Sequence, residues 1–424
     1  MVTTLVLVMV IFLLLGFPMM IPLVLGPLVL AIFFLPQDPY IMTQQMIGGI
    51  SSEVLFAVPL FIFAADIMTS GRTSERLLDF VGAFVGHLRG GYAITTAAAC
   101  TLFGSISGST QATVVAIGKP MRERLLRVGY KDSTALALII NASDVALLIP
   151  PSIGFIIYAL FANASVGQLF LAGIGPGVLV FLCFAGYAYI HARVFDIPLA
   201  DKVLWKNRLN ITWKALFPLG FPVIIVGGIY GGVFTPIEAA GISVLYALIL
   251  ELLIFRSMSI FRIPSIALST GLVTSAVFIL VASGQAFAWA INVAGLPQMI
   301  VDTFFGGDPT ALYVLFMVAI FFFIGCMFVD PIVVIMILTP IFVPVAEQAG
   351  VDPIHMGVVV VFQAALGSAT PPFGVDIFTA SAVFNRSYLD VIRGTPPFII
   401  IMVIVSILVI VFEEISLFYR YLPF

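Results

Sequence analysis

Apolar positions in this chain fall in long uninterrupted runs, without the alternation of a half-buried strand or the one-sided stripe of a soluble helix. A run of about 17 to 25 apolar residues is enough to cross the bilayer core as a helix. On that basis the sequence predicts crossings over 2–16, 18–35, 54–70, 132–162, 168–194, 213–229, 235–255, 265–282, 355–384 and 396–413. Two more runs, 91–118 and 309–340, are too long for one crossing and are interrupted midway, by GSISGST at 104–110 and by GCMFVDP at 325–331. Both read as re-entrant hairpins. The crossings at 132–162 and 355–384 are broken in the same fashion, at LIPPSIG (148–154) and GSATPPFG (367–374). Proline removes a backbone donor and clashes with the preceding turn, so the helix unwinds there. Ser74 to Leu88 sets Leu77, Leu78, Val81, Phe84, Val85 and Leu88 at helical spacing beside Arg72, Glu75, Arg76 and Asp79, which suits a helix lying in the interface. Segments 39–52 and 297–305 are expected to do likewise, either as plain connectors or as arms bracing a moving part.

Composition turns this pattern into a class. Of 424 residues, 62% are hydrophobic and 9% charged, and the mean hydropathy is +1.20. A soluble protein carries charge on about a quarter of its residues, so most of this surface must face lipid. Cys100, Cys183 and Cys326 are far apart with no CxxC spacing, which supports neither a disulfide framework nor a zinc site. A net charge of −3 with three scattered histidines argues against a nucleic-acid partner. Met1 leads straight into apolar sequence with no basic n-region or A-x-A site, so a first spanning helix is expected in place of a cleaved signal. No HExxH, GxSxG or acid pair with a nearby histidine appears at usable spacing, so no enzyme and no cofactor are expected.

The interruptions recur at a fixed distance. An offset of 221 pairs Gly104 with Gly325, Gly129 with Gly350, Pro150 and Pro151 with Pro371 and Pro372, and Ala159 with Ala380. Two halves therefore share one plan. The expected division is 1–210 (outer and arm helices 1–89, hairpin and broken helix 90–167, last helix 168–194, connector 195–212) and 211–424 (outer and arm helices 213–307, hairpin and broken helix 308–387, last helix 388–415). Each half makes five net crossings, an odd number, so the halves must be inverted. If the loop Lys119 to Lys131 is cytoplasmic, every one of the 18 Lys and Arg residues except Arg420 falls on that side, as the positive-inside rule requires. The matching loop Pro340 to Pro353 carries Glu347 and Asp352 and no basic residue, and both chain ends fall outside. The expected fold is an all-α polytopic membrane protein of two inverted-topology repeats.

Unpaired backbone groups at membrane depth cost several kcal/mol each, so such breaks persist where they line a cavity or hold a ligand. A half-helix starting at the midplane offers N–H groups to an anion, and one ending there offers carbonyls to a cation. The first tip is dense in oxygen carriers, with Ser105, Ser107, Ser109 and Thr110 among Gly104 and Gly108; the break after it adds Asn141, Ser143, Asp144 and Ser152. The second half supplies Asp330, Ser368, Thr370 and Asp376. Serine and threonine in membrane helices also bond back to a carbonyl one turn earlier, and Gly/Pro pairs also serve as plain kinks, so both readings stand at single positions. Asp66 and Glu251 near helix ends are read as snorkelling, Glu238 as part of a capping box, and the three histidines receive no role.

The tip GSISGSTQATVVAIGKPM, the stretch LIPPSIGFIIYALFANASVGQLFLAGIGPG and the later GSATPPFGVDIFTASAVF, together with the order of hydrophobic blocks over essentially the whole chain, resemble the large membrane subunit of tripartite ATP-independent periplasmic (TRAP) transporters. The resemblance implies an elevator-type secondary transporter of the bacterial inner membrane. It would be driven by a sodium gradient and import an organic acid handed over by a periplasmic binding protein. It also implies a small membrane subunit, here a separate chain, since the sequence lacks the extra helices of fused versions. Carried over by position, sodium falls on Ser105, Ser107, Gly108, Ser109, Asn141, Asp144, Gly325, Asp330, Gly367, Ser368 and Thr370, and substrate on Thr110, Pro150, Ser152, Pro371 and Asp376. The family more often has neutral residues where Asp144 and Asp376 stand. This departure points to a substrate rich in hydroxyl or ammonium groups, with sialic acid first among acids and C4-dicarboxylates next. The competing readings are an ion channel, whose filter such breaks could also form, and an ion-coupled transporter that works without a binding protein.

Overall fold

The computed structural model describes residues 2–34, 38, 40–199, 202–304 and 310–421. Leu35, Pro39, Phe305 and Pro309, where predicted segments end or begin, lie outside the described residues. The first half runs α1 (Val2–Leu14), α2 (Met20–Phe33), α3 (Tyr40–Ile50), a 3-10 turn (Glu53–Phe56) into α4 (Ala57–Thr69), α5 (Thr73–Val85), a hairpin of α6 (Gly91–Ser107) and α7 (Thr110–Arg127), a broken helix of α8 (Asp132–Asp144) and α9 (Ile153–Ala162), and α10 (Val166–Val194). The second runs α11 (Trp205–Tyr230), α12 (Pro236–Leu248) with a π-helical extension (Ile249–Ile254), α13 (Ile263–Val293), α14 (Leu296–Phe304), a hairpin of α15 (Ala311–Phe328) and α16 (Pro331–Gln348), and a broken helix of α17 (Pro353–Ser368) and α18 (Val375–Phe384). Short α19 (Tyr388–Ile392), α20 (Pro396–Val411) and α21 (Glu414–Leu417) close the chain, and the described residues contain no strand.

Local chemistry accounts for the starts and stops. Ser109, Ser152 and Ser165 accept the amides of Ala112, Phe155 and Gln168 as N-caps of α7, α9 and α10. Thr235 and Glu238 form the predicted capping box at α12. Asn163 and Asn385 end α9 and α18 in the left-handed region, near the repeat offset, a conformation that asparagine tolerates better than most side chains. Pro150-Pro151 and Pro371-Pro372 are both cis.

Several predicted boundaries move. Hairpin one extends to Arg127, so Lys119 to Arg127 is helical and the expected loop shrinks to a turn before Asp132. Arginine and glutamate are good helix formers; their charge lowered the hydropathy without ending the helix. Hairpin two likewise runs on to Gln348, well into the expected loop at Pro340 to Pro353. The crossing expected at 265–282 is a helix of 31 residues, and α11 starts at Trp205, so the expected cut at 210/211 passes through a helix. Gly104 and Ser105 lie inside α6, Gly325 inside α15, and Gly367 and Ser368 inside α17. The true interruptions are Gly108–Ser109, Leu148–Ser152, Val329–Asp330 and Ala369–Gly374.

The two halves pack crosswise. Helix α2 lies on α13 while α4 lies on α12, and α9 lies on α16 while α18 lies on α7. Each half therefore completes the other. In the centre sit α8 and α17, buried from Ala135 to Asp144 and from Ile354 to Ser368. A helix buried on every side is a core element. The longest helices, α10, α11 and α13, carry apolar residues outward, as at Leu182, Trp213 and Leu272.

Candidate functional site

The tips of both hairpins rest on the broken helices, with glycine at each junction. Gly108 has φ +59°, and a Cβ on it would run into the Pro151 carbonyl oxygen. A Cβ on Gly104 would sit 2.6 Å from the Ala146 Cα. A Cβ on Gly367 would come within 2.9 Å of the Cys326 carbonyl carbon. Backbone thus approaches backbone where any side chain would hold it off. The breaks lie between a segment of 13 or 16 residues and one of 10. At 1.5 Å per residue this places them roughly midway along each broken helix.

Four fully buried or nearly buried polar side chains link the halves there. The Ser368 hydroxyl lies within donating reach of Asp144 Oδ1 at 3.0 Å and of the Ala365 carbonyl at 2.7 Å, and Thr110 donates to Asp376 Oδ1 at 2.8 Å. Asp144 and Asp376 are both 0% exposed and approach closely enough for a hydrogen bond between their carboxyls, and Ser368 also reaches Asp376. Apart from that contact between the carboxyls, the Oδ2 of each acid has no hydrogen-bond donor. Asn141, one turn before Asp144, gives Nδ2 to the Ala137 carbonyl at 2.8 Å and leaves Oδ1 unpartnered. Of the residues singled out from sequence, Asn141, Asp144, Ser368, Thr110 and Asp376 come together.

The others sit at the breaks with their oxygens engaged locally. Ser105 bonds back to the Leu102 carbonyl at 2.6 Å and Thr370 to that of Leu366 at 2.6 Å. Ser107 meets the Thr113 hydroxyl at 3.0 Å and donates to the Ser109 carbonyl at 3.2 Å. Asp330 caps α16 through the Ile332 amide at 2.9 Å, as Ser109 caps α7 one repeat earlier. Pro150, Pro371 and Ser152 frame the breaks, with Ser152 capping α9.

Two polar clefts lie at opposite ends of α13, one beside each hairpin, and neither is lined by the residues of this centre. One, of about 590 Å³, lies between α3, α9, α13 and α16 and is lined by Gln45, Gln285, Trp289 and Asn292. The other, of about 550 Å³, lies between α4, α7 and α13 beside Asp66, Ser70 and Ser269. Asp66 accepts from Thr270 at 2.6 Å. Its partner lies on another helix, so the snorkelling read from sequence does not describe it. Glu251 is fully buried and is held by Thr73 at 2.8 Å and by Ser257, which pins the start of α5 to the π-helical extension of α12. Sequence reasoning passed over the amides of the first cleft. The spacing of Gln285, Trp289 and Asn292 on one face of α13 was the available signal.

Comparison with known proteins places the whole arrangement. The sequence profile described as "Tripartite ATP-independent periplasmic transporter, DctM component" matches residues 6–415. The chain is 56% identical to the ectoine/5-hydroxyectoine TRAP transporter large permease of Ruegeria pomeroyi, covering 100% of both. It is 53% identical to the ectoine TRAP large permease of Halomonas elongata, covering 97% of each. With the C4-dicarboxylate TRAP large permease of Pseudomonas aeruginosa it shares 38% identity over 86% of this chain and 85% of that one. Among solved structures, the YdaH transporter of Alcanivorax borkumensis matches in fold at 14% identity with a TM-score of 0.67, covering 99% of this chain and 100% of that one.

Proposed function

The chain belongs to the DctM component family of tripartite ATP-independent periplasmic transporters, and from that premise we propose that it is the large permease of a sodium-driven importer for a small zwitterionic solute of the ectoine kind. A large permease of a tripartite system works with a small membrane subunit and a periplasmic binding protein. The observation that carries the reading is the meeting of the hairpin tips and broken helices in one buried polar centre, with one cleft beside each hairpin. A site shared by two crosswise halves suits alternating access, with hairpins and broken helices as the moving part and α2, α4, α12 and α13 as the frame.

Ectoine replaces sialic acid as the favoured substrate. The relatives more than half identical over nearly the full chain are named for ectoine, and those named for C4-dicarboxylates are more distant. Both acids at the centre favour a solute bearing positive charge. Sodium as the coupling ion rests on the carbonyls and hydroxyls at the tips, which are oxygen ligands of the kind hard cations take. The distribution of basic residues supports both ends on the periplasmic side, and the inner membrane is the setting that suits a permease fed by a periplasmic binding protein.

Uptake into proteoliposomes tests this. With the small subunit and binding protein present, an inward sodium gradient should drive accumulation of labelled ectoine, and collapse of the gradient should stop it. Uptake of succinate or sialic acid in place of ectoine would overturn the substrate; uptake indifferent to sodium would overturn the coupling; large single-channel currents without solute would overturn transport.

A further inference from the structure

We propose that Asp144 and Asp376 together form the seat of the positively charged, N–H-bearing half of the transported solute, and that the chemistry they select is an amidinium. The proposal rests on the transport reading above and assigns to the substrate an acid, Asp144, that position alone had assigned to sodium.

The centre is a cage of acceptors. Apart from the contact between the two carboxyls, Asp144 Oδ2, Asp376 Oδ2 and Asn141 Oδ1 are buried with no hydrogen-bond donor, and Asn141 shares a helix face with Asp144 one turn away. Thr110 has turned its proton to Asp376 Oδ1, and the single hydroxyl proton of Ser368 is contested between Asp144 Oδ1 and the Ala365 carbonyl. Among the described residues neither acid joins a salt bridge. Two buried acids within hydrogen-bond reach of each other ionise together only when a cation stands against them, so the complementary ligand brings both positive charge and several N–H donors. An amidinium is flat and offers donors from two nitrogens, and so can face two carboxylates as a guanidinium does. Discrimination comes with it, because a dicarboxylate would set its own charges against the pair.

The acids also come from different halves, and Thr110 stands at the start of α7, directly behind the tip of hairpin one. A cation bridging Asp144 to Asp376 therefore ties broken helix one to broken helix two at the point where that tip closes on them.

The test uses the purified complex of large and small subunits without the binding protein, titrated with acetamidinium chloride, ectoine or succinate against choline chloride as the ionic control. Wild type should be stabilised thermally by acetamidinium and by ectoine, and not by succinate. In Asp144→Asn and in Asp376→Asn the half-saturating amidine concentration should rise at least about tenfold, while stabilisation by sodium stays as in wild type. Asp144→Glu and Asp376→Glu, which keep the charge, should weaken the response less, and they serve should the Asn variants fail to fold. Stabilisation of wild type by succinate as strong as by acetamidinium overturns the proposal, as does an unchanged amidine response in the Asn variants or loss of the sodium and amidine responses together. Amidine binding that depends on both acids, in a complex that accumulates no ectoine once reconstituted with the binding protein and a sodium gradient, would instead overturn the transport reading and leave the seat standing. Full ectoine uptake by both Asn variants would do the reverse.

Discussion

Gly367 lies directly on the backbone of Cys326, so that a methyl group added to it would come within 2.9 Å of the Cys326 carbonyl carbon. In the other half the junction of Gly108 on Pro151 is equally tight and adds a positive φ. Gly367→Ala and Gly108→Ala should each destabilise the folded protein by about 1–3 kcal/mol through overpacking. Thermal unfolding of the purified protein would register this, and transport should fall further than stability does, because both glycines set the position of a tip. Gly186→Ala, where nothing lies within 4 Å, is the neutral control.

At the tips, Ser107→Ala and Asp330→Ala are expected to raise the sodium concentration for half-maximal uptake by about tenfold, equivalent to roughly 1.4 kcal/mol, with expression near wild type. Both side chains have structural partners, Thr113 for Ser107 and the Ile332 amide for Asp330. An Asp330→Asn variant, which keeps the cap, separates the two roles. Unchanged sodium dependence in all three would remove these residues from the ion site.

Asp352 caps α17 through the amides of Ile354 and His355 and also pairs with Arg420 at 2.8 Å. Burial opposes ionisation of its carboxyl, but the His355 amide, the Arg420 guanidinium and the Ile354 amide outweigh it and hold the group below the usual carboxylate range. A depressed folded value gives stability that is complete above the unfolded value, about 3.9, and fades as pH falls through the folded one. The tie should thus be indifferent to pH near neutrality and weaken only in strong acid. Arg420→Ala should cost under about 1 kcal/mol, since the pair is partly exposed. Asp352→Ala, which also loses the cap, should cost about 1–2 kcal/mol. Melting curves at neutral and acid pH would check both the order and the pH trend.

Opposite orientation of the halves predicts that single cysteines replacing Arg127 and Gln348, at the outer ends of α7 and α16, react with a membrane-impermeant maleimide from opposite faces of the bilayer. Labelling of both from one face would rule out inversion.

The path of the chain was legible because uniform apolar runs and Gly/Pro breaks are local signals, and the 221-residue offset gave the plan of the halves. The helix ends were less so: at Lys119 to Arg127 and at Pro344 to Gln348, charge or proline imitated a loop while the backbone stayed helical. The pairing of Asp144 with Asp376 was hidden for a different reason. The repeat sets Asp144 opposite Ala365, so internal symmetry does not predict the pair, and only the crosswise packing of the two broken helices brings the acids together. Substrate was the least legible feature. Without the geometry of the cleft, two acids suggested added ammonium or hydroxyl groups and no particular molecule.

Crosswise packing also bears on biosynthesis. When the ribosome has delivered α10, Asp144 still lacks Ser368 and α9 still lacks α16. The early half must therefore wait in the lipid, its carboxylate undonated, until the later half has been threaded in. Co-translational insertion of this permease is accordingly a single long commitment, and halves expressed from two genes should regain activity only when both are made together.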